Sequence, residues 1–202
     1  MTRWIMALLL CLPTALTAAA QDLPAAFAVK DVAAEDVLNI RAAPNALADV
    51  VGKIAPFAMN VEVLEITTDG TWGLVGLPEG NGWVSMRYLD PMPLPDTGQV
   101  VRPLSCFGTE PFWSVSLYLR GAEFHSPDTG AVPMSVMHEA VAPSGFLFTL
   151  EEGPTLDRTL IVTREGCSDG MSDRRFGFAV RMFKEAPDGN EILSGCCTLD
   201  HR

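Results

Sequence analysis

The chain has 202 residues, 48% hydrophobic and 19% charged, with 25 Asp and Glu against 14 Lys and Arg and a formal net charge of −11. That balance opposes nonspecific binding to nucleic acid, to anionic lipid or to anionic wall polymer. The apolar content suffices for one or two packed cores, without low-complexity segments or internal repeats.

The chain opens on Arg3 and an apolar run from Ile5 to Leu12, then turns small at Thr17-Ala18-Ala19-Ala20. A basic start, a short apolar run and an Ala-x-Ala site define a cleavable secretory signal over residues 1–20, with cleavage before Gln21. The run is shorter than the roughly 20 residues that span a bilayer. Cys11 lies inside it, after Leu10 rather than a small residue, so it is expected to leave with the signal. The mature part has 182 residues, 13 basic and 25 acidic, for a net charge of −12. It has no second apolar stretch long enough to cross a membrane. The expectation is a periplasmic protein with no stable membrane insertion after cleavage.

Residues 27–90 read as short strands between turns. Val61, Val63 and Ile66 are apolar positions around the charged Glu62 and Glu65. Asp69-Gly70 is a hairpin signal, and Trp72, Leu74 and Leu77 continue the return strand. Gly80-Asn81-Gly82 turns the chain into Trp83-Val84. No helical period is sustained, and about five strands in 60 residues fit a small barrel. Residues 91–104 follow. The stretch from Asp90 to Leu104 holds four prolines, which cannot supply a regular ladder. It reads as a semi-extended linker.

Residues 105–200 read as a mainly antiparallel β-domain. Trp113, Val115, Leu117 and Leu119 alternate with Ser114, Ser116 and Tyr118. Phe146, Phe148 and Leu150 mark a second strand, Leu160 and Val162 a third, and Phe176 to Met182 a fourth. The Pro187–Asn190 turn and a last strand over Glu191–Cys197 complete it. Residues 125–145 carry Pro and Ser and read as a long loop with a short helix near Met134–Ala140.

Cys106, Cys167, Cys196 and Cys197 remain after cleavage. An even count in an oxidising compartment reads as two disulfides, with three possible pairings. Neighbours in a strand face opposite sides, so Cys196 and Cys197 reach different partners. Zinc is disfavoured by the lack of Cys-x-x-Cys spacing and of a nearby His.

Candidate chemistry is thin. The histidines are His125, His138 and His201, the last expected to be mobile near the end of the chain. No Gly-x-Ser-x-Gly elbow surrounds a serine. His138-Glu139 is isolated and reads as surface. Glu151-Glu152, before Gly153-Pro154, reads as a solvated turn. Glu110 precedes Pro111-Phe112-Trp113. Its carboxylate is read as tying down the loop from Asp169 to Asp173, with ligand coordination as the alternative. That loop lacks the acid pattern of a calcium-binding EF-hand and reads as a turn capped by Asp. Arg174-Arg175 reads as a solvated pair. Trp72, Trp83 and Tyr88 are candidates for a ligand groove on the barrel, against the alternative of core filling. No metal, cofactor or catalytic residue is expected.

Two resemblances add to this. Val37-Leu38-Asn39-Ile40-Arg41-Ala42-Ala43-Pro44, the strand over Val50–Ile54, Trp72, and Gly82-Trp83-Val84-Ser85 with Tyr88-Leu89 resemble the bacterial SH3 (SH3b) family. The family usually has a turn glycine where Ala58 stands, and an altered turn is expected there. The resemblance implies a noncatalytic binding or spacer module of wall and envelope proteins. The second half is similar to a less characterised family of bacterial envelope domains. The similarity rests on Gly108-Thr109-Glu110-Pro111-Phe112-Trp113, on Cys167 to Asp173, and on Gly195-Cys196-Cys197. It implies that Cys167 pairs with Cys196, leaving Cys106 for Cys197.

The fold class is therefore all-β: a small SH3-like barrel, a Pro-rich linker and a disulfide-bonded antiparallel β-domain. The expected function is an exported envelope binding protein without catalysis. Its partner is a peptidoglycan peptide or an envelope protein. The alternative is a periplasmic inhibitor or stress-response protein acting through the C-terminal domain, with an exposed loop in 125–145 plugging a basic enzyme's cleft.

Overall fold

Short alternating segments cannot bury an apolar face alone, so the strands gather into two antiparallel assemblies. The structure, a computed structural model, describes residues 22–93, 98–152, 157–185 and 189–202. The expected signal at 1–20, the linker residues 94–97 and residues 187–188 of the Pro187–Asn190 turn lie outside the described residues.

The first assembly is a seven-stranded sheet. Its strands are β1 (Ala25–Val29), β2 (Leu38–Arg41), β3 (Val50–Ile54), β4 (Val61–Ile66), β5 (Trp72–Gly76), β6 (Asn81–Ser85) and β7 (Leu89–Pro91), in the order β3-β2-β6-β5-β4-β1-β7. A single 3-10 turn, Met86–Tyr88, joins β6 to β7. The sheet wraps one core that includes Phe27, Ile40, Ile54, Val61, Val63, Val75 and Val84. Gly70 takes φ +73 in the β4–β5 hairpin, as the Asp-Gly signal requires.

The second assembly is a closed eight-stranded barrel. It runs β8 (Leu104–Thr109), β9 (Phe112–Leu117), β10 (Ala122–Ser126), β11 (Gly130–Ala142), β12 (Gly145–Glu151) and β13 (Asp157–Thr163). A small hairpin of β14 (Cys167–Ser168) and β15 (Arg175–Phe176) intervenes outside the wall. The barrel resumes with β16 (Phe178–Lys184) and β17 (Glu191–Thr198), which closes on β8. Each wall strand thus pairs with its predecessor in the chain, an up-and-down arrangement that leaves no free edge. Trp113, Val115, Phe146, Phe148, Leu160, Phe178 and Met182 fill the interior, so the barrel is a packed core. The alternation predicted for β9 holds through Leu117, whereas Leu119 lies beyond the strand and is exposed.

Residues 125–145 are not a loop with a helix: they hold the end of β10, all of β11 and the start of β12. Val132 and Met134 alternate with outward residues, which suits a strand. Pro133 stands opposite Glu123, ahead of the pairing to β12 that begins at Ser135, so it disturbs one ladder only.

Both disulfides form as the resemblance implied, Cys106–Cys197 and Cys167–Cys196. Cys106 and Cys197 stand opposite each other across the β8–β17 seam, while Cys196 points to the outer hairpin. Gly195 permits that seam, because a Cβ there would overlap the Phe107 carbonyl oxygen.

The end of the linker, from Val100 onward, is packed, while Pro93, Gly98 and Gln99 are exposed. Val100 is fully buried in the barrel core, and its N–H donates to Glu139 Oε2 at 2.9 Å. Arg102 pairs with the same carboxylate. Glu139, half of the His138-Glu139 pair read as surface, thus anchors this segment.

The two assemblies also contact each other directly. In the β1–β4 register Ala26 stands opposite Glu62, and both point away from the first core. Ala26 packs into the barrel's core cluster, and Glu62 is 1% exposed. The sequence reading set Glu62 among charged positions outside the core; the second assembly covers that outer face. Of the Arg174-Arg175 pair read as solvated, Arg174 is mostly buried, at 18% side-chain exposure, whereas Arg175 is exposed but makes fixed contacts. Arg175 Nη2 donates to Glu65 Oε2 at 2.7 Å. The Asn81 side chain accepts from Arg175 N at 2.7 Å and donates to Arg175 O at 3.1 Å, imitating one rung of a ladder. Nor is His201 free: its Nε2 lies 3.2 Å from Ser105 Oγ and its N–H donates to Asn60 O at 3.4 Å. Burial holds its pKa below the usual range.

Candidate functional site

The β4–β5 hairpin places the first aromatic of the site. Asp69 Oδ1 accepts from Thr67 Oγ1 at 2.6 Å and from Thr71 N at 3.1 Å, and these bonds hold its carboxyl below the usual range. Thr67 Oγ1 then accepts the N–H of Trp72 at 3.0 Å. The turn therefore locks the start of β5, where Trp72 faces Ser85 across the sheet. The 3-10 turn after Ser85 supplies Arg87 and Tyr88, with the Arg87 guanidinium carbon 5.5 Å from the Tyr88 ring centre.

These residues form one wall of a cleft of about 540 Å³. The opposite wall is the segment leading into β2, with Asp31 and Asp36, and β2 itself. Asp31 takes φ +53, a left-handed conformation that Asp tolerates better than most residues. Arg41 Nη1 donates to Ala48 O at 2.7 Å and pins the loop beyond the cleft. The rim carries two carboxylates, Asp31 and Asp36, and two guanidiniums, Arg41 and Arg87, around Trp72 and Tyr88. Such a mixture suits an uncharged or zwitterionic chain with alternating apolar and polar groups.

Of the three aromatics singled out in the sequence, Trp72 and Tyr88 meet in this cleft. Trp83 does not line it. It stands opposite Leu74 and Arg41, two residues along β6 from Ser85. Sequence reasoning missed Asp31, Asp36, Arg41 and Arg87. Arg41 carried a signal, since it lies within the Leu38-Asn39-Ile40-Arg41 run.

In the barrel, Trp113 points inward and is buried, with its Nε1 lacking a hydrogen-bond partner among the described residues. Glu110 is exposed in the β8–β9 turn and makes no hydrogen bond to the Asp169–Asp173 loop. The tie comes from its neighbour, as Thr109 Oγ1 donates to Asp169 O at 3.1 Å. Asp169 caps its own loop, accepting from Met171 N at 3.0 Å and Ser172 N at 3.1 Å, which keeps its carboxyl below the usual range. Asp173 is exposed. With the Cys167–Cys196 bridge, these contacts bring all three C-terminal motifs to one place. Phe112 and Met171 stand out there, 56% and 66% exposed.

Glu152, read as part of a solvated turn, is ion-paired: its Oε2 accepts from Arg158 Nη1 at 3.2 Å, and Arg158 is buried with its guanidinium carbon 4.1 Å from the Phe124 ring centre, while Gly153 and Pro154 lie outside the described residues. His125, His138 and His201 lie on β10, on β11 and beyond β17, and are not brought together.

Residues 36–90 match the family model of the bacterial SH3 domain, which spans the cleft's Asp36, Arg41, Trp72, Arg87 and Tyr88. No curated protein and no solved structure matches the chain.

Proposed function

We propose that this is an exported envelope protein whose SH3 domain holds a peptide, either a peptidoglycan stem peptide or a protein tail, without catalysis of its own. A bacterial SH3 domain is a binding module, and the observation that carries the finer reading is the Trp72–Tyr88 cleft. Its aromatic wall provides apolar contact, and its two acids and two guanidiniums can meet both ends of peptide dipoles and charges. Net negative charge opposes electrostatic adhesion to the wall, so binding has to come from such specific contacts. The N-terminal segment, with its signal-like pattern, supports a periplasmic location.

The test is sedimentation of residues 21–202 with purified sacculi at low and high salt, beside a folded Trp72→Ala/Tyr88→Ala variant. Salt-insensitive binding that the variant loses supports the reading. Absence of binding at both salts refutes the wall-peptide form and leaves the protein-tail form, testable by peptide-array screening of the same two proteins.

The second reading is inhibition of a basic enzyme by the C-terminal domain. The loop expected to act as a plug is strand, so this reading rests instead on exposed Phe112 and Met171 beside the carboxylates of Glu110 and Asp173. Loss of inhibition of a basic wall lysin on Phe112→Ser would support it.

A further inference from the structure

We propose that the junction between the two assemblies is a second binding site, for the carboxylate of a small ligand with an apolar flank. A cleft of about 750 Å³ lies there, separate from the Trp72–Tyr88 cleft. The first assembly contributes Ile54, Met59 and Leu77 as an apolar wall, with Lys53 at its edge. The second contributes Arg174, Asp200 and Arg202. Three cationic side chains thus face one carboxylate side chain in a chain whose net charge is −11.

The single carboxylate is already engaged. Arg202 Nε donates to Asp200 Oδ1 at 2.6 Å, its Nη2 to Asp200 Oδ2 at 2.5 Å, and the same Nη2 to Gly76 O at 2.7 Å. Glu62 lies nearby, but its two oxygens accept from Thr198 and Leu199. Arg174 is left over. Its Nη2 is 3.6 Å from Asp200 Oδ2, close enough for an ion pair but beyond hydrogen-bond length. None of its side-chain N–H groups has an acceptor among the described residues, and its Nε is fully buried.

Packing, not hydrogen bonding, holds this guanidinium. Its carbon lies 4.6 Å from the Phe176 ring centre, and it covers Gly76, where a Cβ would come within 2.6 Å of Nη2. The side chain is 18% exposed. A fixed, largely desolvated fork with unused donors and an apolar wall matches a carboxylate attached to an aliphatic group. The inference is independent of the peptide cleft.

The experiment is two-dimensional NMR of residues 21–202 titrated with acetyl-Leu-Ala as the free acid, with its C-terminal amide, and with inorganic phosphate. The expected result is saturable shifts from the acid at Arg174 Nε–H and at the backbone of residues 53–59, 76–78 and 198–202, with little response to the amide or phosphate. Arg174→Gln should weaken the acid's binding about tenfold or more, since a charge-assisted pair is lost. Lys53→Gln, on an exposed strand where folding is not at stake, should weaken it a few-fold. Trp72→Ala/Tyr88→Ala should leave it unchanged. The proposal is overturned by no saturable shift, by an equal response to the amide or phosphate, by shifts confined to the Trp72–Tyr88 cleft, or by wild-type affinity in both charge variants.

Discussion

Glu62 in β4 and Thr198 at the end of β17 lie 136 residues apart and share a 2.7 Å hydrogen bond in the buried junction. The other Glu62 oxygen accepts from Leu199 N at 3.0 Å. An acid has been removed from water where only neutral donors meet it directly. Burial therefore pushes its pKa up to about 7, against the opposing pull of those two bonds and of Arg174.

The folded protein consequently holds the Glu62 proton more tightly than the unfolded chain does. The associated stability is fully present below the ordinary value of 4.5 and is lost as pH rises towards 7. The loss should be on the order of 3 kcal/mol. Urea unfolding of wild type and Glu62→Gln from pH 4 to 8 checks this. The difference between the two proteins should change across that window and be flat above it.

The Asn81 clamp on Arg175 should contribute about 1 kcal/mol to docking of the two assemblies. Asn81→Ala should speed amide exchange at Arg175 while leaving the exchange of β12 and β13 as it was. Equal protection of Arg175 in both proteins would show that the clamp is idle.

The two disulfides should be unequal. Cys106–Cys197 spans 91 residues and Cys167–Cys196 spans 29. Loop entropy assigns them about 4–5 and about 3–4 kcal/mol. Thermal unfolding of the Cys106→Ala/Cys197→Ala and Cys167→Ser/Cys196→Ser variants should show the larger loss for the first, which also opens the barrel seam.

Gly195→Ala should cost about 2–3 kcal/mol or more, because the new methyl meets backbone of β8 that cannot rotate aside. Gly80→Ala, where nothing lies within 4 Å, serves as the control and should be near neutral. Melting temperatures of the two variants decide it.

Among the tryptophans of the first assembly, only the one in the cleft should matter for binding. Trp72→Ala should weaken sacculus binding at least tenfold and Trp83→Ala by less than twofold, since Trp83 stands outside the cleft.

Much of the strand content was legible. Period-two alternation located β9, β12, β13 and β16, because each has one face in a core and one outside. Strand β11 was not legible, since only Met134 on it is fully buried and Pro133 argued for a break. The cleft was half legible. Trp72 and Tyr88 belong to it, but the alternation that puts Trp83 on the Ser85 face says nothing about how far along that face a groove extends.

By itself, the sequence determined two all-β units, the Asp69-Gly70 hairpin and opposite partners for Cys196 and Cys197. All of these follow from neighbours in the chain and from the alternation of side chains along a strand. Tertiary structure decided what lies against each outward face. It buried Glu62 under Thr198, clamped Arg175 on Asn81, packed Val100 into the barrel and left Arg174 Nε without an acceptor among the described residues. Alternation marks a residue as facing away from its own core, but only the docking of the second assembly sets whether that side meets water or protein.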